Sequence, residues 1–455
     1  MSLTSKSFSI LQRDIFLFLC RMISGVVIAR KLGPELLGLW AILQLIPGYA
    51  EAFGRFKFDI AAVYFLGQKK TTLGEMVFTL NLLALITGVL IVSVFVWQFE
   101  WFYSYLFKNS PVNMRLLAYY TLAIIPLSFL LTNYNYLIIF LEDIKTYNKM
   151  IVLSALLSSG FGIFLLLVFD LGIFAMLTGS ILGVTTSLCY GAIKIARVEK
   201  MKPNWNPHLM KKMTMYCFYS YIGGIIGHLN GYITNLLVAL FLSPAQVAFY
   251  SMAKNRSQIV SKIPNALSTL LFPKISKSTN KEESSHLAAR AFRVTFIMLF
   301  FMGIILAILI KPWVYILYGK AFLPMTTPFW IILPGIVFFQ STTVIGQYFS
   351  GVGRADLGPK INFFPMIIQA ILAYYLIQNL NVIGASIAFS VSSLLFGLIQ
   401  IGVFIRISTC TMTDLLITKD DYNTVTKFIL SQVVKFTSRL STLYHGKISR
   451  RKNEI

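Results

Sequence analysis

The sequence predicts an all-α membrane protein with about twelve transmembrane helices, arranged as two six-helix lobes related by a parallel repeat. Three observations support this fold class: the composition, the long stretches without charge, and a short motif that recurs half a chain later. Hydrophobic residues make up 56% of the 455 residues and charged residues only 13%, whereas soluble domains contain roughly 25% charged residues. The mean hydropathy is +0.72, which excludes an ordinary soluble protein.

Stretches that carry no Lys, Arg, Asp or Glu predict the positions of the transmembrane helices, because a helix needs about 20 apolar residues to cross a bilayer. These stretches are 76–99, 116–141, 150–169, 171–193, 213–253, 294–310, 321–353 and 361–405. With the two spans at the start of the chain, they predict twelve spans, at about 9–30, 35–54, 74–98, 116–140, 149–169, 171–193, 213–240, 245–272, 291–310, 324–349, 359–378 and 382–405.

The basic residues predict the orientation of these spans. The even-numbered connections contain most of the loop cations, among them Lys69, Lys145, Arg197 and Lys277, whereas the odd-numbered connections contain few. Because positive charge stays on the cytoplasmic side, we expect both termini to be cytoplasmic. The net charge of +23 then reflects this bias and contact with anionic membrane lipids, and no nucleic-acid partner is expected. The first apolar segment contains charges and no small-residue cleavage site, so we expect a retained span.

The repeat relates VIARKLGPELLGLWAI (27–42) to LVALFLSPAQVAFYSM (237–252) at an offset of 210 residues, with Pro34 matching Pro244. Each copy is predicted to end one span, turn at Pro, and begin the next. An offset of six spans gives two parallel halves, which would meet where transporters bind substrate. The predicted domains are listed in chain order: an N-terminal lobe at 1–193, a cytoplasmic linker at 194–212, a C-terminal lobe at 213–408 and a basic amphipathic cytoplasmic tail at 409–455.

The first span carries three charges, Arg13, Asp14 and Arg21, which lie on one side of a helix that turns by 100° per residue. A buried Arg costs at least ~2.5 kcal/mol in lipid, so we expect this stripe to face a wet cavity or the bundle interior. The alternative is a structural Asp14–Arg21 pair beside an Arg13 that reaches the membrane surface.

The eighth span carries Lys254, Arg256 and, further along, Lys262, with no acidic residue to neutralise them. Cations in a membrane interior are costly unless an anion binds there, and the planar guanidinium of Arg suits phosphate. With Arg21, they predict a cationic substrate-binding cavity between the halves.

Other candidate residues have two interpretations each. Asp14 and Glu51 are candidates for ion coupling, but Glu51 is also four residues from Arg55, as in a surface ion pair. In the seventh span, Gly227 is the middle of three glycines spaced by four residues. Glycines at this spacing favour either close approach of a neighbouring helix or a bend in a helix that opens and closes a path. The polar neighbours that are candidates for glycan contacts are His228, Asn230 and Asn235.

The four cysteines, Cys20, Cys189, Cys217 and Cys410, are isolated in the sequence. We interpret them as small hydrophobic residues. We see no metal-ligand spacing, paired carboxylates or Ser/His/Asp set, so neither a metal, a cofactor nor an enzymatic activity is expected.

The ARKLGPELLGLWA turn, the LSPAQVAFYSMAKNR segment and the LFPKIS that follows resemble the polysaccharide-transporter (Wzx-type) branch of the multidrug/oligosaccharidyl-lipid/polysaccharide exporter superfamily, over residues about 5–408. The resemblance implies a flippase that moves undecaprenyl-pyrophosphate-linked oligosaccharide repeat units across the bacterial cytoplasmic membrane by alternating access. It also supports substrate-binding roles for Arg21, Lys254 and Arg256, and implies a polysaccharide polymerase and chain-length machinery as partners. A multidrug exporter, a membrane enzyme and a scaffold are the alternatives.

The tail, where the resemblance ends, has apolar residues at helical spacing over 421–446, with Lys427, Lys435 and Arg439 on a polar stripe. Such a pattern is typical of a helix lying on a membrane surface, and the alternative is a helix docked on the cytoplasmic loops.

Overall fold

The structure is a computed structural model, and it describes residues 3–204, 206–278, 280–354, 356–423 and 425–426. Within these ranges the chain contains no strand. The α-helices are α1 (Leu3–Gly54), α2 (Phe58–Gly67), α3 (Leu73–Trp97), α4 (Phe99–Leu106), α5 (Arg115–Leu122), α6 (Ile124–Phe140), α7 (Ile144–Leu156), α8 (Gly162–Val168), α9 (Gly172–Val198), α10 (Pro207–Phe241), α11 (Pro244–Ser257), α12 (Lys262–Lys277), α13 (Lys281–Tyr318), α14 (Thr326–Gly351) and α15 (Leu357–Ile407). A π-helical turn, Leu157–Phe161, joins α7 to α8, and 3₁₀ turns occupy Gln258–Ser261, Lys320–Met325 and Thr413–Leu415.

Helices cover all twelve predicted spans, and nine of these spans lie in stretches long and apolar enough to cross a membrane. In the described part of the chain, eight helical stretches are long and apolar enough to cross a membrane. The longest of them, α15, contains two predicted spans separated by Asn381, whose φ is 51°. The first two predicted spans both lie in α1, which is interrupted at Gly33 with φ 71°, and the eighth lies in α11 and α12. The prediction of an all-α membrane protein is confirmed.

Local sequence explains where several helices begin. Thr72 caps α3, because its side chain accepts a hydrogen bond from the Glu75 N–H while the Glu75 carboxylate accepts one from the Thr72 N–H. Asn206 caps α10 by accepting from the Leu209 N–H at 3.0 Å, and Pro207 follows at the first helical position, where no N–H is needed. The connection between α9 and α10 is therefore shorter than the predicted linker at 194–212.

The chain forms two compact units. The first comprises Met1–Arg256, Ile310–Ile332 and Asn362–Phe389, and the second comprises Ser257–Leu309, Leu333–Ile361 and Ser390–Ile455. The predicted domain boundaries stay a prediction.

The first unit is held by buried apolar side chains that join α2, α3, α6, α7 and α10. Met76, Leu80, Met150 and Met213 are fully buried in this cluster; because lipid is as apolar as these side chains, their contribution is close van der Waals packing between the helices. α1 contacts α6, α7, α9 and α10, and this packing positions the helices that surround the candidate site.

The second unit has its own core, built around Ala288, Ile345, Tyr348 and Phe404. Cys410 and Leu415 belong to the same core, so the segment after α15 is packed against α13 and α14. Beyond it, the Arg293 Nε donates a hydrogen bond to Asp421 Oδ2 at 2.5 Å, and both side chains are largely buried. The predicted surface helix at 421–446 lies almost entirely outside the described residues.

Candidate functional site: a polar cavity in the first unit

The first unit contains a cavity of about 520 Å³, within the roughly 300–1,000 Å³ range of small-molecule sites. Four helices enclose it: α1, α6, α10 and α11. Its polar lining residues are Gln44, Glu51, Ser128, Tyr232, Asn235, Ser251, Asn255 and Arg256. Amide, hydroxyl and phenol groups therefore dominate the polar surface, with one guanidinium and one carboxylate among the lining residues.

Two glycines of α1 allow larger side chains to approach this cavity. A Cβ on Gly25 would lie 3.0 Å from Nη2 of Arg256, and a Cβ on Gly48 would lie 3.2 Å from the ring of Tyr232. Any larger residue at either position would displace these groups. Pro47, also in the lining, has no N–H, so the carbonyl four residues earlier lacks its helical donor.

Arg256 supplies the cationic group of the cavity lining. Its guanidinium carbon lies 5.6 Å from the centre of the Tyr318 ring. Its Nε is buried and has no hydrogen-bond partner among the described residues. A buried donor without an acceptor costs about 1–3 kcal/mol, and an anionic ligand would remove this cost.

Lys254 lies behind the cavity wall, with only 4% of its surface exposed. Its ammonium donates to the Asn235 side-chain oxygen at 2.8 Å and to the Gly231 carbonyl at 2.5 Å, and it lies 4.9 Å from the centre of the Phe389 ring. Since Asn235 lines the cavity, Lys254 fixes the orientation of a lining amide. Direct contact between Lys254 and substrate stays a prediction.

Glu51, which lines the cavity, is the first of three charged residues that are paired in series. Arg55 donates to the Glu51 carboxylate at 2.8 Å and to Asp59 Oδ2 at 3.4 Å, so the predicted Glu51–Arg55 pair is present. Asp59 is fully buried, and its Oδ1 has no partner among the described residues. Burial raises the pKa of the Asp59 carboxyl, although the adjacent Arg55 and Lys57 act in the opposite direction. An ion-coupling role for Glu51 stays a prediction.

The three charges of the first span do not form the pair considered in the sequence. Arg13 donates to Asp14 Oδ1 at 2.9 Å and to the side-chain oxygen of Asn148 at 2.9 Å, and it lies over the Tyr147 ring. Asp14 is thus paired with Arg13, and the Asp14–Arg21 alternative is wrong. Arg21 is exposed and lies one turn before Gly25 on the same helix face, but it is not a lining residue of the cavity.

Some polar residues of α10 lie at or next to the cavity, and others form hydrogen bonds to a neighbouring helix. The His228 ring stacks on that of Tyr232, with centroids 6.0 Å apart, next to the cavity. Asn230 instead donates to Asn362 at 2.6 Å, an interhelical hydrogen bond. A Cβ at Gly227 would meet no described atom within 4 Å, so close helix approach does not explain this glycine.

Lys262 begins α12 in the second unit and is exposed. The structure therefore gathers Arg256 and Asn235 at the cavity, with Lys254 behind it and His228 beside it. Sequence reasoning missed Tyr232, Asn255 and Asp59. Asp59 lies four residues after Arg55, and this spacing, typical of an ion pair on a helix, could have indicated it.

The fold and the cavity define a class: a multi-pass helical membrane protein with a polar cavity among its helices. Residues 27–327 match the family described as "Polysaccharide biosynthesis protein". The match covers more than half of the sequence, and the chain belongs to this family. The fold class and the family predicted from the sequence are both confirmed.

One relative is the "Probable low-salt glycan biosynthesis flippase Agl15" of Haloferax volcanii, which is 24% identical over 235 residues, 51% of this chain and 49% of that protein. The chain spans about half the length of this curated relative. Among solved structures it resembles "Lipid II flippase MurJ, inward closed conformation", with a TM-score of 0.73, 15% identity and 92% of both chains covered.

It also resembles the inward-facing conformation of a "multidrug resistance MATE family transporter of the MOP superfamily", with a TM-score of 0.71 and 13% identity. That alignment covers 86% of this chain and 94% of the other. At such identities the likeness shows the fold alone.

Proposed function

We propose that this protein is a flippase that moves undecaprenyl-pyrophosphate-linked oligosaccharide repeat units, for O-antigen, capsule or exopolysaccharide, from the cytoplasmic to the outer leaflet. It works by alternating access in the bacterial inner membrane, with both termini cytoplasmic, and it is neither an enzyme nor dependent on a cofactor. The observation that carries the proposal is Arg256, whose Nε has no hydrogen-bond partner among the described residues and which lines a cavity together with amides and hydroxyls.

The chemistry of such a substrate matches the cavity. Its pyrophosphate is an anion that accepts hydrogen bonds from a guanidinium, and its sugar hydroxyls pair with amide and hydroxyl side chains such as Gln44, Asn235 and Asn255. Its polyprenyl tail is apolar and can stay in the bilayer throughout. Only the head group therefore needs a polar route across the membrane.

Aromatic rings next to the cavity provide faces for sugar rings, whose C–H groups pack on aromatic surfaces. The Tyr49 ring lies 6.1 Å from that of Tyr232 and 6.3 Å from that of Phe53, and His228 extends the same row. Phe53 is exposed. The row thus joins the cavity to the surface of the first unit.

The driving force is the membrane potential, alone or with a coupled ion. The cell interior is negative, so each negative charge moved outward gains about 2.3 kcal/mol per 100 mV. Asp14 and Glu51 are the carboxylates proposed for H⁺ or Na⁺ coupling. Both are partly exposed and paired with arginines, so an ion would compete with Arg13 or Arg55.

A multidrug or other lipid exporter is the second candidate, because Glu51 also lines the cavity and would suit an organic cation. Its pairing with Arg55 at 2.8 Å neutralises that carboxylate and leaves Arg256 as the group in need of a partner. We therefore favour an anionic substrate over a cationic one. A scaffold of polysaccharide assembly needs no polar cavity, and for a membrane enzyme the described lining residues offer one carboxylate and no histidine or cysteine.

A deletion strain tests the proposal. Loss of the gene should cause lipid-linked repeat units to accumulate in the cytoplasmic leaflet, and the wild-type gene should reverse this. Arg256→Gln should fail to reverse it, while Arg256→Lys should retain part of the activity. Arg115→Gln is the matched control, because Arg115 is exposed and paired with Glu100. Normal surface polysaccharide in the deletion strain would overturn the proposal.

A further inference from the structure

We propose that His286, Cys410 and Asp414 form a binding site for one divalent transition-metal ion of the zinc class. The three residues lie in the second unit, with His286 in the first turns of α13 and the other two in the segment after α15. Their ligand atoms lie within 4.8 Å of one another. This site stands whether or not the chain is a flippase.

The distances are close to those of a metal site. The Cys410 Sγ is 3.8 Å from His286 Nδ1, and His286 Nδ1 is 3.9 Å from Asp414 Oδ1. Zinc–ligand bonds of about 2.0–2.3 Å at a tetrahedral angle place neighbouring ligand atoms roughly 3.4–3.6 Å apart. The two distances from His286 therefore need to shorten by only a few tenths of an ångström, and the Cys410–Asp414 separation is within 4.8 Å.

Asp414 is already oriented for this role. Its Oδ2 accepts hydrogen bonds from the Thr411 N–H at 2.7 Å and from the Thr411 hydroxyl at 2.8 Å. Both bonds are made to Oδ2, so Oδ1, the oxygen nearest His286 Nδ1, is left available for an ion. Outer hydrogen bonds of this kind fix carboxylate ligands in metal sites.

The backbone that carries the ligands is held in place. Cys410 and Leu415 are buried in the core of the second unit, and the Thr409 N–H donates to the Ser285 hydroxyl at 3.4 Å. Arg293 donates to the Asp414 carbonyl, but its charge is balanced by Asp421 at 2.5 Å. The cation that bonds to this segment, Arg293, is therefore already paired.

The ligand types select the metal. A thiolate, an imidazole and a carboxylate together suit Zn²⁺ and its analogue Co²⁺, whereas Mg²⁺ and Ca²⁺ prefer oxygen ligands alone. The side chains of His286 and Asp414 are 51% and 31% exposed, which gives the ion a path of entry and leaves room for water as a fourth ligand. A bound ion would join the start of α13 to a segment more than 120 residues later, and would stabilise the second unit.

Cobalt binding tests the proposal on the full-length protein, purified in detergent without a polyhistidine tag. We expect one Co²⁺ per chain with thiolate-to-cobalt charge-transfer absorption, which Zn²⁺ displaces, and a higher melting temperature with either ion. Cys410→Ser should abolish the absorption. Cys217→Ser is the matched control, because Cys217 is also buried but lies in the first unit, and this variant should keep the absorption.

His286→Gln provides a second variant that leaves the core untouched, because His286 is exposed. We expect it to weaken cobalt affinity by at least ~10-fold while the melting temperature without metal stays at the wild-type value. A wild-type protein that binds no stoichiometric cobalt overturns the proposal. So does absorption that persists in Cys410→Ser but is lost in Cys217→Ser.

Discussion

Gly38 of α1 and Pro244 of α11 are in backbone contact: a Cβ on Gly38 would overlap the Pro244 carbonyl. Pro244 begins α11 in the second copy of the repeated motif, and Gly38 lies four residues after Pro34, its counterpart in the first copy. The two turns therefore lie side by side within the first unit. This is the arrangement that a parallel repeat predicts.

Gly38→Ala should destabilise the protein, because the new methyl group has no space beside Pro244. Overpacking of this kind costs typically 1–3 kcal/mol, which should appear as a lower melting temperature of the detergent-purified protein. Gly402→Ala is the matched control, since a Cβ there meets no described atom within 4 Å and Ala favours a helix interior. Equal melting temperatures for the two variants would contradict the contact.

Single cysteines at Glu35 and Ala245 should both react with a membrane-impermeant thiol reagent added outside the cell. Both residues lie beside the prolines of the paired turns, which the orientation rule places externally. A cysteine at Lys69, in a predicted cytoplasmic connection, should react only after permeabilisation. The background must have all four native cysteines replaced by serine. Labelling at only one of the two turns would refute the parallel repeat.

Arg21→Gln and Lys254→Gln should each abolish transport while the protein still inserts and accumulates. Replacement of either by the other basic residue should retain some transport, because a positive charge is kept. Surface polysaccharide in a complemented deletion strain is the measurement. If Lys254 acts through Asn235, whose amide it holds at 2.8 Å, Asn235→Ala should reproduce the Lys254→Gln defect. Normal polysaccharide from both Gln variants would remove the substrate-binding roles predicted for Arg21 and Lys254.

The buried Asp59 carboxyl should make stability fall as pH rises. Burial raises the pKa of Asp59 in the folded chain, so the folded state binds the proton more tightly than the unfolded state. Its contribution to stability is complete below the unfolded pKa and is lost as pH rises through the folded pKa. The melting temperature of the wild type should therefore fall, relative to that of Asp59→Asn, as pH rises from about 4.

Asp356→Asn is the control for this pH series. Lys360 and Arg354 lower the pKa of the exposed Asp356 to about 2. Its contribution is present above the unfolded pKa and is lost only as pH falls, so the difference between the wild type and Asp356→Asn should stay flat above about pH 5. Parallel curves for the wild type and Asp59→Asn would show that Asp59 does not titrate in this range.

Truncation of the tail should have different effects on either side of Asp421. A chain that ends after Thr411 loses the carboxylate bound to Arg293, and breaking a buried pair costs roughly 3–5 kcal/mol, so membrane levels of the protein should drop. A chain that ends after Thr426 keeps the pair and should support normal surface polysaccharide. Quantitative blotting of membranes measures the first effect. Loss of transport at normal protein level in the longer truncation would show that the tail takes part in transport.

The spans were predictable because lipid selects for apolar composition over whole helices. The two-span helices α1 and α15, and their breaks at Gly33 and Asn381, follow the predicted boundaries at 30–35 and 378–382 closely. Arg256 was predictable as a cavity residue for the same reason, since a charge in a membrane helix must face a polar site.

Contacts between distant residues were not predictable from one sequence. Arg13 bonds to Asn148, 135 residues away, and no periodicity connects the two. Lys254 looked equivalent to Arg256 by spacing, but packing places it behind Asn235. His286, Cys410 and Asp414 show no motif spacing, and only the fold of the second unit brings their ligand atoms together.

The single non-helical residue inside α1, Gly33, has a consequence for how the chain enters its membrane. The two spans of α1 are joined by a very short connection. If the first span crossed the membrane alone, this connection would hold the apolar second span close to the membrane surface, in contact with water. We therefore expect them to insert together as a helical hairpin, so that the orientation of the first span also fixes that of the second. The same expectation applies to the spans on either side of Asn381, so we expect both pairs to enter the membrane in units of two helices.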